Sequence, residues 1–286
     1  MNMNSTLQLD TRRTLSEDER RDASAIVDAC RRDGLRLKLH LDRLPDDGEA
    51  QAIVARRDGV LAGFCTLDSG RDMELCGAVH PDHRRRGVGR ALLAAALAES
   101  SRRGRKRALV ICEDASLAGV ALLSAAGAAR AFAEHRMELA ARCPAPVSAH
   151  GLTVRRAAPA DAADVARVIA RTMDDDEIDV LGGIEVAMSD PAQRVYMAHA
   201  EGLAVAALRV VFGSGRAYIY GFGVLPGHRR RGIGRWFLTE VIAALQSEGH
   251  DRIALEVETE NVAAVSLYRS MGFAEITTYG YYAVAL

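Results

Sequence analysis

A ten-residue phrase occurs twice in this chain, and its repetition constrains the fold more than any other feature. PDHRRRGVGR at 81–90 returns as PGHRRRGIGR at 226–235, carrying Arg84 to Arg229, a shift of 145 residues. The same shift carries Leu122 to Leu267, Gly127 to Gly272 and the opening LQL at 7–9 to LTV at 152–154. One offset across most of both halves means duplicated domains. A chain of 286 residues is long enough for two domains, each with its own core. The expected division is an N-terminal domain over 1–143, a linker over 144–150 and a C-terminal domain over 151–286. The linker is read from CPAPVSAHG at 143–151, whose two prolines and small residues favour irregular chain.

In the second copy the phrase follows a strand-like segment ending at Val224 and opens an apolar stripe of Ile233, Phe237, Val241, Ala244 and Leu245 at helical spacing. A glycine-rich turn between strand and helix leaves backbone N–H groups pointing outward, where the positive end of the helix dipole favours an anion. Glycine at 232 and 234 keeps side chains away from a close-lying phosphate. Three arginines alone read as a solvated basic turn or a nucleic-acid patch. Placed before G-x-G at a strand–helix junction, and duplicated, they read as a phosphate cradle. The formal net charge of −1 gives no basic excess, so nucleic acid is not an expected partner.

Both halves follow one plan. The second is expected to run strand 152–156, helix 159–173, a polar irregular segment 174–190 with a short helical possibility, hairpin 194–212, strand 216–224, the cradle helix, strand 252–258, helix 261–270 and a last strand or pair within 274–286. The first mirrors it with strand 7–9, helix 16–32, hairpin 52–66, strand 73–79, helix 88–102, strand 107–112, helix 116–125 and a closing strand near 136–140. Helices set among mostly antiparallel strands indicate an α+β fold. The five cysteines are widely spaced with no CxxC or Cys/His ligand pattern, so reduced thiols and no metal are expected. No signal-peptide pattern opens the sequence, and its most apolar helical stretch, 91–97, is too short to span a membrane. The expectation is a soluble cytoplasmic protein with no membrane partner, a monomer or homodimer.

A strand ending in V-x-P, then R-x-x-G-x-G opening a helix, then a strand, then N-x-x-A-x-x-L-Y-x-x-x-G-F, resembles the GCN5-related N-acetyltransferases. Those elements are Val224-Leu225-Pro226, Arg229/Gly232/Gly234, and Asn261/Ala264/Leu267/Tyr268/Gly272/Phe273. Both motifs in order are far more specific than the first alone, and the resemblance covers nearly the whole chain as two tandem copies. It implies two acyl-CoA N-acyltransferase domains, each a mixed, mostly antiparallel sheet flanked by helices, with acetyl-CoA as cosubstrate. It implies that backbone N–H groups of Arg229, Arg230, Arg231, Gly232, Ile233 and Gly234 hold the pyrophosphate, with Arg235 beside them. The pantetheine arm is then expected along Phe222, Gly223 and Val224, where that strand splays from the strand through Val257. The corresponding residues of the first half, Val79, Arg84, Arg85, Arg86, Gly87, Val88, Gly89 and Arg90, form a possible second CoA site.

The individual site residues carry competing readings. Ala264, Leu267, Tyr268 and Met271 form one helical stripe, which makes Tyr268 a core aromatic by periodicity. The resemblance implies instead that its phenol protonates the departing thiolate; with a pKa near ~10 it carries the proton at neutral pH. Asn261 reads as a helix N-cap, as does Ser116 at the matching place, while the resemblance implies that its side chain touches the pantetheine arm or a neighbouring backbone. Many members place a glutamate on the strand before the cradle, near Tyr218 here, and residues 216–224 contain no acid. Glu256 and Glu258 share a face of the next strand and are the candidate bases, set against a solvated sheet edge or a water relay. The acidic run Asp174–Glu177 reads as a solvated loop bordering the acceptor site.

The first half has Leu123 for the tyrosine, Ser116 for the asparagine and Ala128 for the phenylalanine. It is expected to be catalytically silent, to bind CoA weakly and to buttress the second half. The expected activity is transfer of acetyl to a primary amine by direct attack, in the C-terminal domain. The acceptor is a small-molecule amine or a peptide N-terminus or lysine. The alternative is a non-catalytic acyl-CoA-binding or sensing protein.

Overall fold

In the computed structural model of the chain, residues 6–39, 41, 49–69, 72–140, 151–213 and 215–286 are described. The expected linker, 144–150, lies outside them. Two compact units emerge: Met1–Glu134 with Thr277–Leu286, and His135–Ile276. Each unit therefore takes the end of its sheet from the other repeat.

The first unit opens with β1 (Leu7–Arg12) and α1 (Glu17–Arg32). Ser16 caps α1 in a capping box with Glu19, satisfying two helix-end donors at once. β2 (Ala52–Arg57), β3 (Val60–Ser69) and β4 (Met73–Val79) form an antiparallel meander beside β1. α2 (Val88–Arg102) then returns the chain to β5 (Arg107–Glu113), which runs parallel to β4. α3 (Leu117–Ala125) and the start of β6 (Ala129–Leu139) follow. The far edge of β5 is covered by β12 (Phe273–Ala285), antiparallel from Tyr279↔Glu113 to Ala285↔Arg107. Ala23, Ile26 and Cys30 of α1 pack with Val54 and Phe64. Val88, Leu92 and Ala96 of α2 pack with Leu75, Leu123 and Tyr282.

The second unit repeats the plan with β7 (Leu152–Arg156), α4 (Ala162–Met173), α5 (Glu177–Ser189), β8 (Gln193–Ala200), β9 (Leu203–Gly213) and β10 (Arg216–Val224). α6 (Ile233–Ser247), β11 (Ile253–Glu258) and α7 (Val262–Ser270) complete it. Its strand order is β7-β8-β9-β10-β11-β6, with β10 and β11 parallel. Phe237, Leu238, Val241 and Leu245 of α6 form its largest core with Tyr268, Phe273 and Met137, the last from β6. Val165, Val168 and Ile169 of α4 pack with Met197 and Ala207 as a second cluster.

Four local expectations are corrected. Residues 177–189 form a full helix, because Asp176 caps it by accepting from the Ile178 and Asp179 N–H groups and because Ile184 and Ala187 are buried. Its two internal glycines and weak stripe hid it. The closing strand of the first repeat starts at Ala129, well before 136. Ser116 makes no capping bond to α3. β11 lies between β10 and β6, so Glu256 and Glu258 do not sit on a sheet edge.

Candidate active site in the second unit

The site begins where β10 parts from β11. The two strands pair only from Ala217↔Ile253 to Ile219↔Leu255, which leaves 220–224 and 256–258 unpaired with each other. β10 also carries a bulge against β9 between Tyr220 and Gly223, with Gly221 at φ 58°. A bulge turns the backbone groups of the strand that contains it, and bulges recur beside active sites for that reason. Thr172 of α4 fixes the strand there: a Cβ on Gly223 would lie 2.1 Å from its Oγ1, so only glycine fits. β4 of the first unit pairs with β3 from Gly63↔Val79 to Ser69↔Met73 with no such shift.

The cradle follows. The Arg229 Nε donates to the Val224 carbonyl at 2.8 Å and closes the turn. Arg230 and Gly232 both take left-handed backbone, at φ 62° and 79°, and Gly232 caps α6 with no side-chain hydrogen bond. Such a turn directs successive N–H groups to one point and leaves the helix end open to an anion. The first unit builds the same turn: Arg84 Nε donates to the Val79 carbonyl at 3.2 Å, with Arg85 at φ 60° and Gly87 at 83°. Arg230 and Arg231 are exposed and, among the described residues, have no hydrogen-bonding or ionic partner. Arg235 turns away and donates to the Ser270 hydroxyl at 2.7 Å, and Ile233 is buried, so it offers the site its backbone alone. In the first unit Arg86 offers its carbonyl to Arg57, Val88 is buried, and Arg90 lines the cleft.

The structure brings Phe222, Val224, Gly234 and Leu267 together: a Cβ on Gly234 would meet Phe222 and Val224 at 3.4 Å and Leu267 at 3.9 Å. Tyr268 joins them, its ring 6.2 Å from Phe222 and 5.9 Å from Phe273. Burial pushes the Tyr268 phenol well above the ordinary value of 10, so it stays protonated throughout the neutral range. Asn261 caps α7, accepting from the Ala264 N–H at 3.1 Å. Glu256 is half-buried and Glu258 exposed, the latter at the end of β11.

On the opposite face lies a group that the sequence did not reveal. Tyr218, at the place of the expected glutamate, is buried, and its hydroxyl accepts from Arg136 at 3.1 Å. Arg136 also donates to Glu138 at 2.8 Å, and Glu138 accepts from Arg216 at 3.1 Å. Arg209 lies 5.7 Å from the centre of the Tyr220 ring, and burial lowers its pKa. The bulge had a visible signal, the glycines Gly221 and Gly223 within a strand pattern. The Arg136 contact had none, because its strand belongs to the other repeat. Among the described residues no cluster of His, Cys, Asp or Glu could hold a metal ion, and no helix is long and apolar enough to cross a membrane.

The sequence model of the acetyltransferase (GNAT) family matches residues 14–128 and again 160–273. A mycothiol acetyltransferase of Kineococcus radiotolerans is 34% identical over 254 residues, spanning 81% of this chain and 80% of that protein. One from Salinispora arenicola is 32% identical over 246 residues, 77% of each. Among solved structures, a GCN5-related N-acetyltransferase from Sphaerobacter thermophilus superposes with a TM-score of 0.82 at 20% identity, covering 98% of this chain and 95% of that one. At that identity the superposition shows the fold alone. Two matched domains and relatives aligned over most of their length lead to one conclusion: this chain is a tandem member of the GNAT acetyltransferase family, an acyltransferase similar in layout to the mycothiol acetyltransferases.

Proposed function

We propose that the second unit transfers acetyl from acetyl-CoA to a primary amine of a small molecule. The observation that carries the reading is an asymmetry between two otherwise matching cradles. Only the second is preceded by a bulged strand and followed by a helix bearing a tyrosine. The residues present fit a CoA diphosphate, since the turn at Arg230–Gly232 has the open N–H array that such an anion requires.

Acetyl-CoA would supply the thioester that the amine attacks directly. Backbone N–H groups from Arg230 to Gly234 would hold its pyrophosphate, since the Arg229 N–H donates to the Pro226 carbonyl, and exposed Arg230 and Arg231 would add charge. N–H groups near Val224, turned by the bulge, would polarise the carbonyl. The Tyr268 phenol would give its proton to the departing sulfur. Glu256 or Glu258 would take the proton from the amine, directly or through water. A small-molecule acceptor is in keeping with the relatives named mycothiol acetyltransferase.

Release of free CoA from acetyl-CoA with a panel of small primary amines tests the reading. Amine-dependent release that survives Arg85→Glu and is lost in Arg231→Glu would support it. No release with any amine, or loss in the first variant alone, would remove it.

A further inference from the structure

The first unit contains a half-open cleft of about 900 Å³. It runs from Arg85 and Gly87 at the cradle, past Gly77 and Cys112 between the parted strands, to Leu35 and Leu37 beyond α1. The gap has the same origin as in the second unit: β4 and β5 pair from Met73↔Ala108 to Cys76↔Ile111 and no further. What differs is the filling. The 145-residue shift sets Gly77 against Phe222, Leu123 against Tyr268 and Ala128 against Phe273. In the second unit those three rings pack in succession, with centres 6.2 and 5.9 Å apart. The first unit has none of them; Gly77 and Leu123 line its cleft, whose walls are mostly aliphatic side chains.

The chemistry changes with the shape. Leu123 carries no hydroxyl to protonate a leaving sulfur, and β4 has no bulge to turn N–H groups toward a carbonyl. The backbone turn that receives a diphosphate is nevertheless intact, at φ 60° and 83°. Selection for a silent buttress gives no reason to keep an open cradle joined to a largely apolar cleft. We propose that this cavity binds the CoA thioester of a longer acyl chain, about six to ten carbons, and holds it without transferring the acyl group. The inference shares the cradle reading of the proposed function but concerns the other unit. Burial of an added methylene strengthens binding about fourfold, so chain length should dominate affinity here.

Calorimetric titration of the full chain with octanoyl-CoA and with acetyl-CoA tests this. Octanoyl-CoA should occupy one site at least about tenfold more tightly than acetyl-CoA occupies any. Leu123→Phe, which restores a ring to the cavity, should weaken that site at least about tenfold. Arg85→Glu, at the exposed cradle, should do the same, and it decides the matter if Leu123→Phe does not melt cooperatively. Equal affinities for the two thioesters, or a tight octanoyl-CoA site that survives Arg85→Glu, would overturn the proposal. An intact octanoyl-CoA site without acetyl transfer removes the proposed function alone; turnover without that site removes this inference alone.

Discussion

The Arg136 guanidinium donates to the Tyr218 hydroxyl at 3.1 Å and lies 5.6 Å from the centre of the same ring. A strand from the first repeat thus contacts Tyr218, the position on the second-repeat strand where an acid is expected and none stands. Glu138, the neighbouring carboxylate, is engaged by both Arg136 and Arg216. Ala254 pairs with Tyr218, so by the two-residue period Glu256 faces the same way.

Glu258 shares that face but stands exposed at the end of β11, so the half-buried Glu256, two residues nearer Tyr218, is the favoured base. Glu256→Gln should lower kcat by about 10²-fold, and Glu258→Gln by less than about threefold. Steady-state rates for the two variants check the assignment, and the reverse order would transfer the role to Glu258.

Tyr268→Phe should lower kcat about 10- to 100-fold with little change in acetyl-CoA affinity, because the ring packing survives and only the proton is lost. Since burial raises the phenol, it keeps its proton above pH 10, and the wild-type rate should show no alkaline fall below that pH on its account. An unchanged kcat in the variant rules out the acid role.

The cradle turn depends on left-handed backbone at Gly232, where a Cβ would meet no atom within 4 Å. Gly232→Val should therefore act through strain rather than a clash, raising the KM for acetyl-CoA and lowering stability by about 1–2 kcal/mol. Thermal melts and initial rates measure the two effects. A raised KM with unaltered stability would mean that the turn relaxes freely and that the side chain acts on the ligand.

Much of this was legible in the sequence because duplication reports on itself. A shift of 145 residues located both cradles and the helix that distinguishes them, and the V-x-P and R-x-x-G-x-G patterns placed the strand–turn–helix junctions. Contacts made by chain from the other repeat were not legible. Met137 in the second core and Tyr282 in the first obey the same alternation as any strand, and nothing local to them says which sheet they join. The α5 helix was hidden for a different reason: its Asp176 cap and buried Ile184 fall within an acidic, glycine-containing stretch.

Glu99 provides a pH test of stability in the first unit. Its carboxylate accepts from Arg102 at 2.7 and 2.8 Å and from Arg103 at 2.9 Å. The Arg102 hydrogen bonds, joined by those of Arg103 and opposed by partial burial, hold its pKa down at about 2 against an ordinary 4.5. A depressed carboxylate stabilises the fold above its unfolded pKa and loses that contribution as pH falls through the folded one. Glu99→Gln should be less stable than wild type at pH 7, with the difference shrinking between pH 4.5 and about 2. Denaturation midpoints across that window decide it, and a constant difference would mean that packing rather than charge is lost.

The exchanged strands make the most discriminating prediction, because sequence order and packing disagree about where the C-terminus acts. Tyr281 is almost fully buried in the first unit, where its ring stacks on Phe132 with centres 4.2 Å apart. Its hydroxyl bonds to Glu134 and Lys38, which also pair with each other at 2.9 Å. Tyr281→Ala removes the stacked ring and strips a hydrogen-bond partner from a partly buried ion pair. The expected loss is about 3–5 kcal/mol, confined to the first unit. Hydrogen exchange should show lost protection along Arg107–Glu113, the strand against which 279–285 pair, while Ile253–Glu258 keeps its own. Assigning the C-terminus to the second repeat by sequence order predicts the opposite pattern. Loss of protection at Ile253–Glu258 with Arg107–Glu113 unchanged would show that the closing strands are not exchanged in solution.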